Sequence, residues 1–276
     1  MYKDTVSNSF KLGKVARIIR DIFYRLDYSE IFLPAMDKFS PELRGGLKTA
    51  YKNEFYMIKP DVTSHLLSSI MKEEELKVFY VSEVLEGTPK GTWQIGTEWI
   101  GGKVALKDKI IEQISTVKAI LKSLGIADFL IDIGSLRKWR EMIDQYDLDR
   151  KIVYEAIEKR SFSAMGSMDI PEAARAGLMS LLQKRGKTCD DPLIDGIISA
   201  VNDDCMMVDF GTLRHFDYYD DIVIEIYARH HGKMIGGGGQ YMNRGKDCFG
   251  FALDLGILSQ LASDSLNNCQ EVDTND

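Results

Sequence analysis

The residues best suited to chemistry cluster between positions 207 and 258. Arg214 opens the run Arg-His-Phe-Asp-Tyr-Tyr, so Asp217, Tyr218 and Tyr219 follow it within one short step. A guanidinium offers a planar two-point fork to a carboxylate. A ligand carrying both a carboxylate and a cation suits that set. Downstream, Gly236, Gly237, Gly238 and Gly239 stand where a strand should run. Glycine inside a sheet removes side chains and lets a ligand or another backbone approach closely; a bulged hairpin accounts for such a run equally well. Two further sets are polar residues at ordered spacing. Gln94, Gly96 and Glu98 alternate along a strand-like segment and share one face by the two-residue period. They form either the floor of a polar site or a solvent-facing strand. Asp61 and Thr63 follow Pro60 at a helix start, as ligand groups or as helix caps.

Other chemistries find little support. The cysteines Cys189, Cys205, Cys248 and Cys269 form no CxxC pair, and no histidine lies at a metal-ligand spacing from them. Neither a metal site nor a disulfide framework is expected. The 276 residues, net charge of -7 and 45% hydrophobic content fit one large domain or two small ones. The acidic balance argues against a broad nucleic-acid surface; the local cluster of Arg137, Lys138 and Arg140 remains, and it fits a solvated helix face equally well. The N-terminal residues have no apolar signal core, and no run approaches the roughly 18 apolar residues of a membrane span. A soluble, cytoplasmic protein without membrane contact or cofactor is expected.

The elements that must position these residues follow from periodicity. Phe10, Leu12, Val15, Ile18, Ile19, Ile22, Phe23 and Leu26 recur at helical spacing, and residues 27–29 end that helix. A strand over 30–33 stops at Pro34, and residues 38–53 read as a loop. Strands are expected at 55–59, 77–85, 93–100, 129–134 and 222–228, with a helix over 62–70 that carries Leu66, Leu67 and Ile70. The hairpin between 85 and 93 turns at 88–91. Asp108 is a candidate cap for a helix whose apolar face runs from Ile110 to Leu124. From residue 135 to about 203 helices dominate, over 136–146, 151–159, 171–183 and 192–200, with Pro171 and Pro192 as first-turn prolines and Gly186 as a helix stop. This reads as a helical insertion between two parts of one sheet. A core over 1–262 and a polar tail over 263–276 complete the division. Bland roles fit several other residues: a surface turn for His230 and His231, a satisfied polar side chain for His65, packing for Trp139, and a solvated turn for Asp220 and Asp221.

Taken in order, these pieces resemble the histidyl-tRNA synthetases. Ile31-Phe32-Leu33-Pro34 is similar to the first motif of class II aminoacyl-tRNA synthetases, and Lys59-Pro60-Asp61-Val62-Thr63 to an arginine-proline-acid-x-threonine segment. Gln94 to Glu98 resemble the end of the second motif, and Arg214 to Tyr219 the histidine-specific signature. Gly238-Gly239-Gln240-Tyr241 and Gly250-Phe251-Ala252 resemble the approach to the third motif. The resemblance implies an α+β fold, an antiparallel sheet flanked by helices with a helical insertion, and a homodimer through residues 10–34. It also implies a histidine pocket. Asp61, Thr63 and Gln94 would take the α-amino end, Glu98 and Tyr218 the imidazole, and Arg214 the carboxylate, with Tyr219 beside them. Asp61 is one carbon shorter than the usual glutamate, and His215 replaces a glycine.

The departures concern ATP. The second-motif arginine that holds the α-phosphate falls at Glu86, or at Leu85 in the alternative register, and the third-motif arginine falls at Ile257. A carboxylate there repels phosphate. No anticodon-binding domain is expected after the core. This combination resembles the regulatory subunit of ATP phosphoribosyltransferase. That family's chain has no catalytic residues, assembles with a short-form catalytic subunit that condenses ATP with phosphoribosyl pyrophosphate, and takes part in feedback inhibition by L-histidine. Two other readings stay open here: a divergent synthetase-like amino-acid ligase, and a free-standing histidine-binding module.

Overall fold

The computed structural model describes residues 2–39, 47–59, 61–69, 75–85, 91–214, 218–229, 232 and 234–262. Ile70, Glu86, the turn residues 88–90, His215, Asp217, His230, His231, Cys269 and the tail expected over 263–276 lie outside them. The chain divides into two compact units. The first comprises Met1–Trp99, Gln113–Ala127 and Ala252–Asp276, and the second Ile100–Glu112 and Asp128–Phe251.

In the first unit the N-terminal helix α1 (Tyr2–Arg25) buries Val15, Ile19, Ile22 and Phe23, as its spacing predicts. Phe10, at the head of the expected stripe, is instead 70% exposed. Asp27 turns into the left-handed region and Tyr28 N–H closes on the Phe23 carbonyl, which ends the helix. Strand β1 is only Ser29–Glu30, shorter than expected, and runs parallel to β5 (Glu75–Val84). Residues 38–53 are not a plain loop. Strands β2 (Met36–Lys38), β3 (Leu47–Tyr51) and β4 (Glu54–Ile58) form a separate antiparallel sheet in the order β2-β4-β3. Lys52 and Asn53, both at positive φ, make the two-residue turn between β3 and β4. Helix α2 (Val62–Ser69) follows, and β5 lies beside β6 (Thr92–Gly101). Val62, Tyr80 and Val84 form a small core with Ile31, Leu33 and Ala252. The Lys59 ammonium is buried and donates to the Leu33 and Pro34 carbonyls, 3.3 Å each, which anchors the turn at Pro34.

Helix α3 (Leu106–Ser123) buries Ile110, Ile114, Val117, Ile120 and Leu121 along one stripe. Asp108 lies inside its first turn rather than at the cap, where its charge still favours the helix N-terminus. In the second unit β7 (Phe129–Ser135) leads into α4 (Leu136–Gln145), α5 (Arg150–Glu158), α6 (Phe162–Gly166) and α7 (Glu172–Gln183). Strand β8 (Arg185–Gly186), α8 (Pro192–Val201) and β9 (Met206–Asp209) follow. Side chains of Ser135, Asp149, Ser161 and Asp191 accept backbone N–H groups at the starts of α4, α5, α6 and α8. Pro192 occupies the first turn as expected, whereas Pro171 is the cap residue itself. Gly186 is not the helix stop: α7 ends at Gln183, and Gly186 pairs with Val208. Trp139 is fully buried and donates to the Phe210 carbonyl at 2.7 Å, a packing role.

The sheet of the second unit continues through β10 (Tyr219–Ala228), β11 (Met234–Asn243) and β12 (Lys246–Asp254), after which the chain enters α9 (Leu255–Leu261). The strand order is β12-β11-β10-β7-β9-β8. The β10 pairings with β11 and β7 are antiparallel, and β7 pairs β9 in parallel. The fold class is thus α+β, with sheets flanked by helices.

Candidate functional site

The glycine run forms the central part of β11. Its register places Gly236, Gly237, Gly238 and Gly239 opposite Ile226, Glu225, Ile224 and Val223 of β10. A Cβ on Gly237 would stand 2.9 Å from Arg214 Nη1 and 3.2 Å from its Cζ, and one on Gly239 would stand 2.7 Å from the Tyr219 ring. A Cβ on Gly238 would strike the backbone of Gly250 and Phe251. The bare strand therefore makes room for the protein's own Arg214 and Tyr219, which rest on the sheet where side chains would otherwise stand.

Arg214 is only half-buried, yet its Nε is shut off from solvent and has no hydrogen-bond partner among the described residues. Its Nη1 meets the Met234 sulfur at 3.5 Å, and its Cζ lies 5.9 Å from the centre of the Tyr219 ring. Burial works against the charge, but Tyr219, Tyr218 and Glu225 outweigh it and hold the guanidinium above its usual range. A desolvated fork with an unmet donor is suited to receive an anion. Tyr218 and Tyr219 pack with their rings tilted by 51° and 4.6 Å between centres, and Tyr218 meets Tyr241 edge-on at 6.1 Å.

The other expected residues lie in the first unit. Asp61 caps α2: one carboxylate oxygen accepts Ser64 N–H at 2.8 Å and the other accepts the Ser64 hydroxyl at 2.7 Å. Thr63, the second residue of α2, donates its hydroxyl to Glu98, which is 1% exposed. The face of β6 that carries Gly96 and Glu98 is therefore buried, not solvent-facing, while Gln94 is half-buried. On the opposite face Thr97 donates to Gln113 at 2.9 Å. A buried carboxylate with a fixed hydroxyl donor retains capacity to accept an N–H. Replacing Thr63 with valine removes that donor, and the expected cost is about 1–2 kcal/mol in urea unfolding. An unchanged unfolding midpoint would show that Glu98 does not depend on it.

Three sequence expectations need correction. Asp221 is not part of a solvated turn: it is 7% exposed, accepts from Ser135, and pairs with Arg137 Nε at 2.9 Å. Arg137 and Arg140 are likewise not merely solvated. Arg137 also reaches Asp191, the cap of α8, at 3.3 Å. Arg140 holds the backbone carbonyls of Tyr219 and Asp220. Helix α4 thereby fixes the start of β10 and the two tyrosines. His65 is buried, with Asp37 at 3.7 Å, a satisfied polar side chain. Sequence reasoning also passed over Glu225, a lone acid in the run Ile222 to Ile226, and Asp132, alone in an apolar strand. A single charge inside a buried strand was the available signal.

The phosphate-binding positions carry no cation. Ile257 stands in the first turn of α9, its N–H accepted by Asp254 at 2.8 Å. Leu85 is half-buried and bonds by its N–H to the Lys59 carbonyl. Among the described residues no group of three or more His, Cys, Asp or Glu could hold a metal ion, and no helix is long and apolar enough to cross a membrane.

A profile of the histidyl-tRNA synthetase family matches residues 8–191 and 193–258. The chain belongs to that family. Among its relatives, an ATP phosphoribosyltransferase regulatory subunit from Halothermothrix orenii is 23% identical over 99% of this chain and 76% of its own length. A histidine–tRNA ligase from Methanococcus vannielii is 25% identical over 83% of this chain and 65% of its own. The fold is similar to that of an ATP phosphoribosyltransferase regulatory subunit/histidyl-tRNA synthetase from Bacillus halodurans. That match has a TM-score of 0.76 and 17% identity and covers 92% of this chain and 80% of the other. The family thus contains both regulatory subunits and ligases, and the residues of this chain must separate them.

Proposed function

We propose that this chain is the non-catalytic regulatory subunit of an ATP phosphoribosyltransferase, acting in the cytoplasm with a short-form catalytic subunit and taking L-histidine as its effector. The observation that carries this reading is an asymmetry between two sets of residues. The set expected to recognise histidine is present: Asp61, Thr63, Gln94, Glu98, Arg214, Tyr218 and Tyr219. The arginines that adenylate chemistry requires are absent, with Ile257 at one position and Glu86 or Leu85 at the other. Loss of phosphate-binding charge at two separate motifs leaves recognition without activation. The regulatory relative at 23% identity supports the assignment. The ligase relative at 25% favours a second reading, an amino-acid ligase.

Feedback in such a complex is a coupling free energy of typically about 1–3 kcal/mol between the effector and the partner's active site. The test is to assay a short-form catalytic chain from the same source with and without this chain, then with histidine. Stimulated phosphoribosyl-ATP formation that histidine suppresses supports the reading. Absence of both stimulation and co-elution would remove it. Histidine-dependent ATP–pyrophosphate exchange by this chain alone would establish the ligase instead.

A further inference from the structure

Glu225 lies beside the guanidinium of Arg214 without pairing to it. It sits in the middle of β10, opposite Gly237 of β11 on one side and Asp132 of β7 on the other. Directly paired residues project to the same face of a sheet. The place a Cβ on Gly237 would occupy lies 2.9 Å from Arg214 Nη1, so the guanidinium rests on the face to which Glu225 projects. Among the described residues no carboxylate forms an ion pair with Arg214, and its Nε has no hydrogen-bond partner. Glu225 instead accepts the Tyr227 hydroxyl at 2.7 Å. It acts on Arg214 through the field alone.

We infer that Glu225 is a positioning residue that sets the strength of an anion subsite at Arg214, its ionised carboxylate opposing a ligand's carboxylate and its neutral form admitting one more tightly. This rests on Arg214 as the receptor for the carboxylate of histidine, and it adds what tunes that receptor. The groups that face Glu225 are Tyr227 on its own strand, Asp132 from β7, Asp209 at the end of β9, Arg160 just beyond α5, and Arg214. Arg185 of β8 approaches Asp132 and Asp209 from the sheet edge. Burial raises the Glu225 carboxyl above its usual range and Asp209 adds to that, while the Tyr227 hydrogen bond, Arg214 and Arg160 oppose it. The neutral form therefore appears at a higher pH than for an ordinary glutamate. Over that range the ligand's own carboxylate stays ionised, with a terminal carboxyl titrating near about 3.5.

The test compares L-histidine with L-histidinol, which keeps the ammonium and the imidazole but carries an alcohol in place of the carboxylate. Titration of the shared groups cancels in the ratio of the two affinities. Calorimetry on the full chain from about pH 8 to about pH 5, above the ordinary glutamate value of about 4.3, reads that ratio. In the wild type the preference for histidine is expected to rise roughly three- to tenfold as pH falls, the scale of one charge acting across a partly screened distance. In Glu225→Gln the preference should already be higher at the alkaline end and its slope should shrink, the remainder coming from Asp132, the paired carboxyl pushed up to about 6. Tyr227→Phe removes the donor that stabilises the ionised form, so its rise should begin at higher pH. A flat wild-type ratio, or an unaltered slope in Glu225→Gln and an unmoved onset in Tyr227→Phe, overturns the inference while histidine binding stands. Failure of the wild type to bind histidine at any pH overturns the histidine reading, and this inference with it.

Discussion

Replacing Arg214 with alanine is expected to weaken L-histidine binding by roughly 30- to 1,000-fold, the equivalent of about 2–4 kcal/mol for a lost two-point charge-assisted contact. Stimulation of the catalytic chain should survive, because the substitution removes the receptor and leaves the strands beneath it paired. Arg214 is half-buried, and among the described residues it meets the Met234 sulfur, the Tyr219 side chain and the bare backbone at Gly237. Removing a desolvated cation whose Nε has no partner relieves a burial cost while opening space that water can fill. Arg214→Lys keeps the charge and loses the fork, so it should fall between alanine and wild type. The histidine titration and the inhibition curve of the assembled enzyme must shift together. Unchanged histidine affinity in Arg214→Ala, with the fold intact, would detach this residue from the effector.

Why Arg214 was legible in the sequence and Glu225 was not follows from the kind of order each depends on. Arg214 precedes two tyrosines and a glycine run, and a local string can be read without a fold. The trough was also legible as a feature, since side chains were plainly missing from a strand. Its occupant was not, because only the cross-strand register puts Gly237 under the guanidinium and Gly239 against Tyr219. The long apolar strands and helices α1 and α3 were readable because burial imposes their period. Strand β3 was not, because it is largely exposed and Leu47 to Tyr51 show no alternation. Arg137 and Asp221 are 84 residues apart in sequence, and no local rule links a helix-face arginine with a strand-start aspartate. Asp61 retained both of its readings. Its oxygens are engaged as a cap, and a carboxylate oxygen that accepts one N–H can still accept a second donor.

Two aspartates on neighbouring strands should respond to substitution with opposite signs. Asp209 is 1% exposed, accepts Gly211 N–H at 2.8 Å and Arg160 Nη1 at 3.0 Å, and has Arg185 Nε at 3.5 Å. Asp209→Ala leaves a buried N–H unmet, takes the carboxylate from Arg160 and leaves Arg185 with only its longer contact to Asp132. Because both arginines are partly exposed, the expected loss is about 2–4 kcal/mol, toward or below the low end for breaking a fully buried pair. Asp132, 3% exposed, has one oxygen without a hydrogen-bond partner and Arg185 no closer than 3.7 Å. Burial first, then the charge of Asp209, push its carboxyl up to about 6. A raised acid binds its proton more tightly in the folded chain than in the unfolded one, where the value is about 3.9. Its contribution to stability is therefore most favourable below about pH 4, declines as pH rises toward about 6, and remains a full penalty above that. Two units correspond to at most about 3 kcal/mol. Asparagine removes the charge but must bury an amide, so Asp132→Asn should gain about 1–2 kcal/mol at neutral pH and flatten that pH slope. In an Asp209→Ala background the gain should shrink, since the repelling carboxylate is gone and Arg160 and Arg185 become free to pair with Asp132. Urea unfolding of the four chains at pH values on both sides of 6 measures each term. A destabilised Asp132→Asn at neutral pH, or one that keeps the wild-type slope, would show that this carboxylate is held ionised at no cost by its two arginine neighbours.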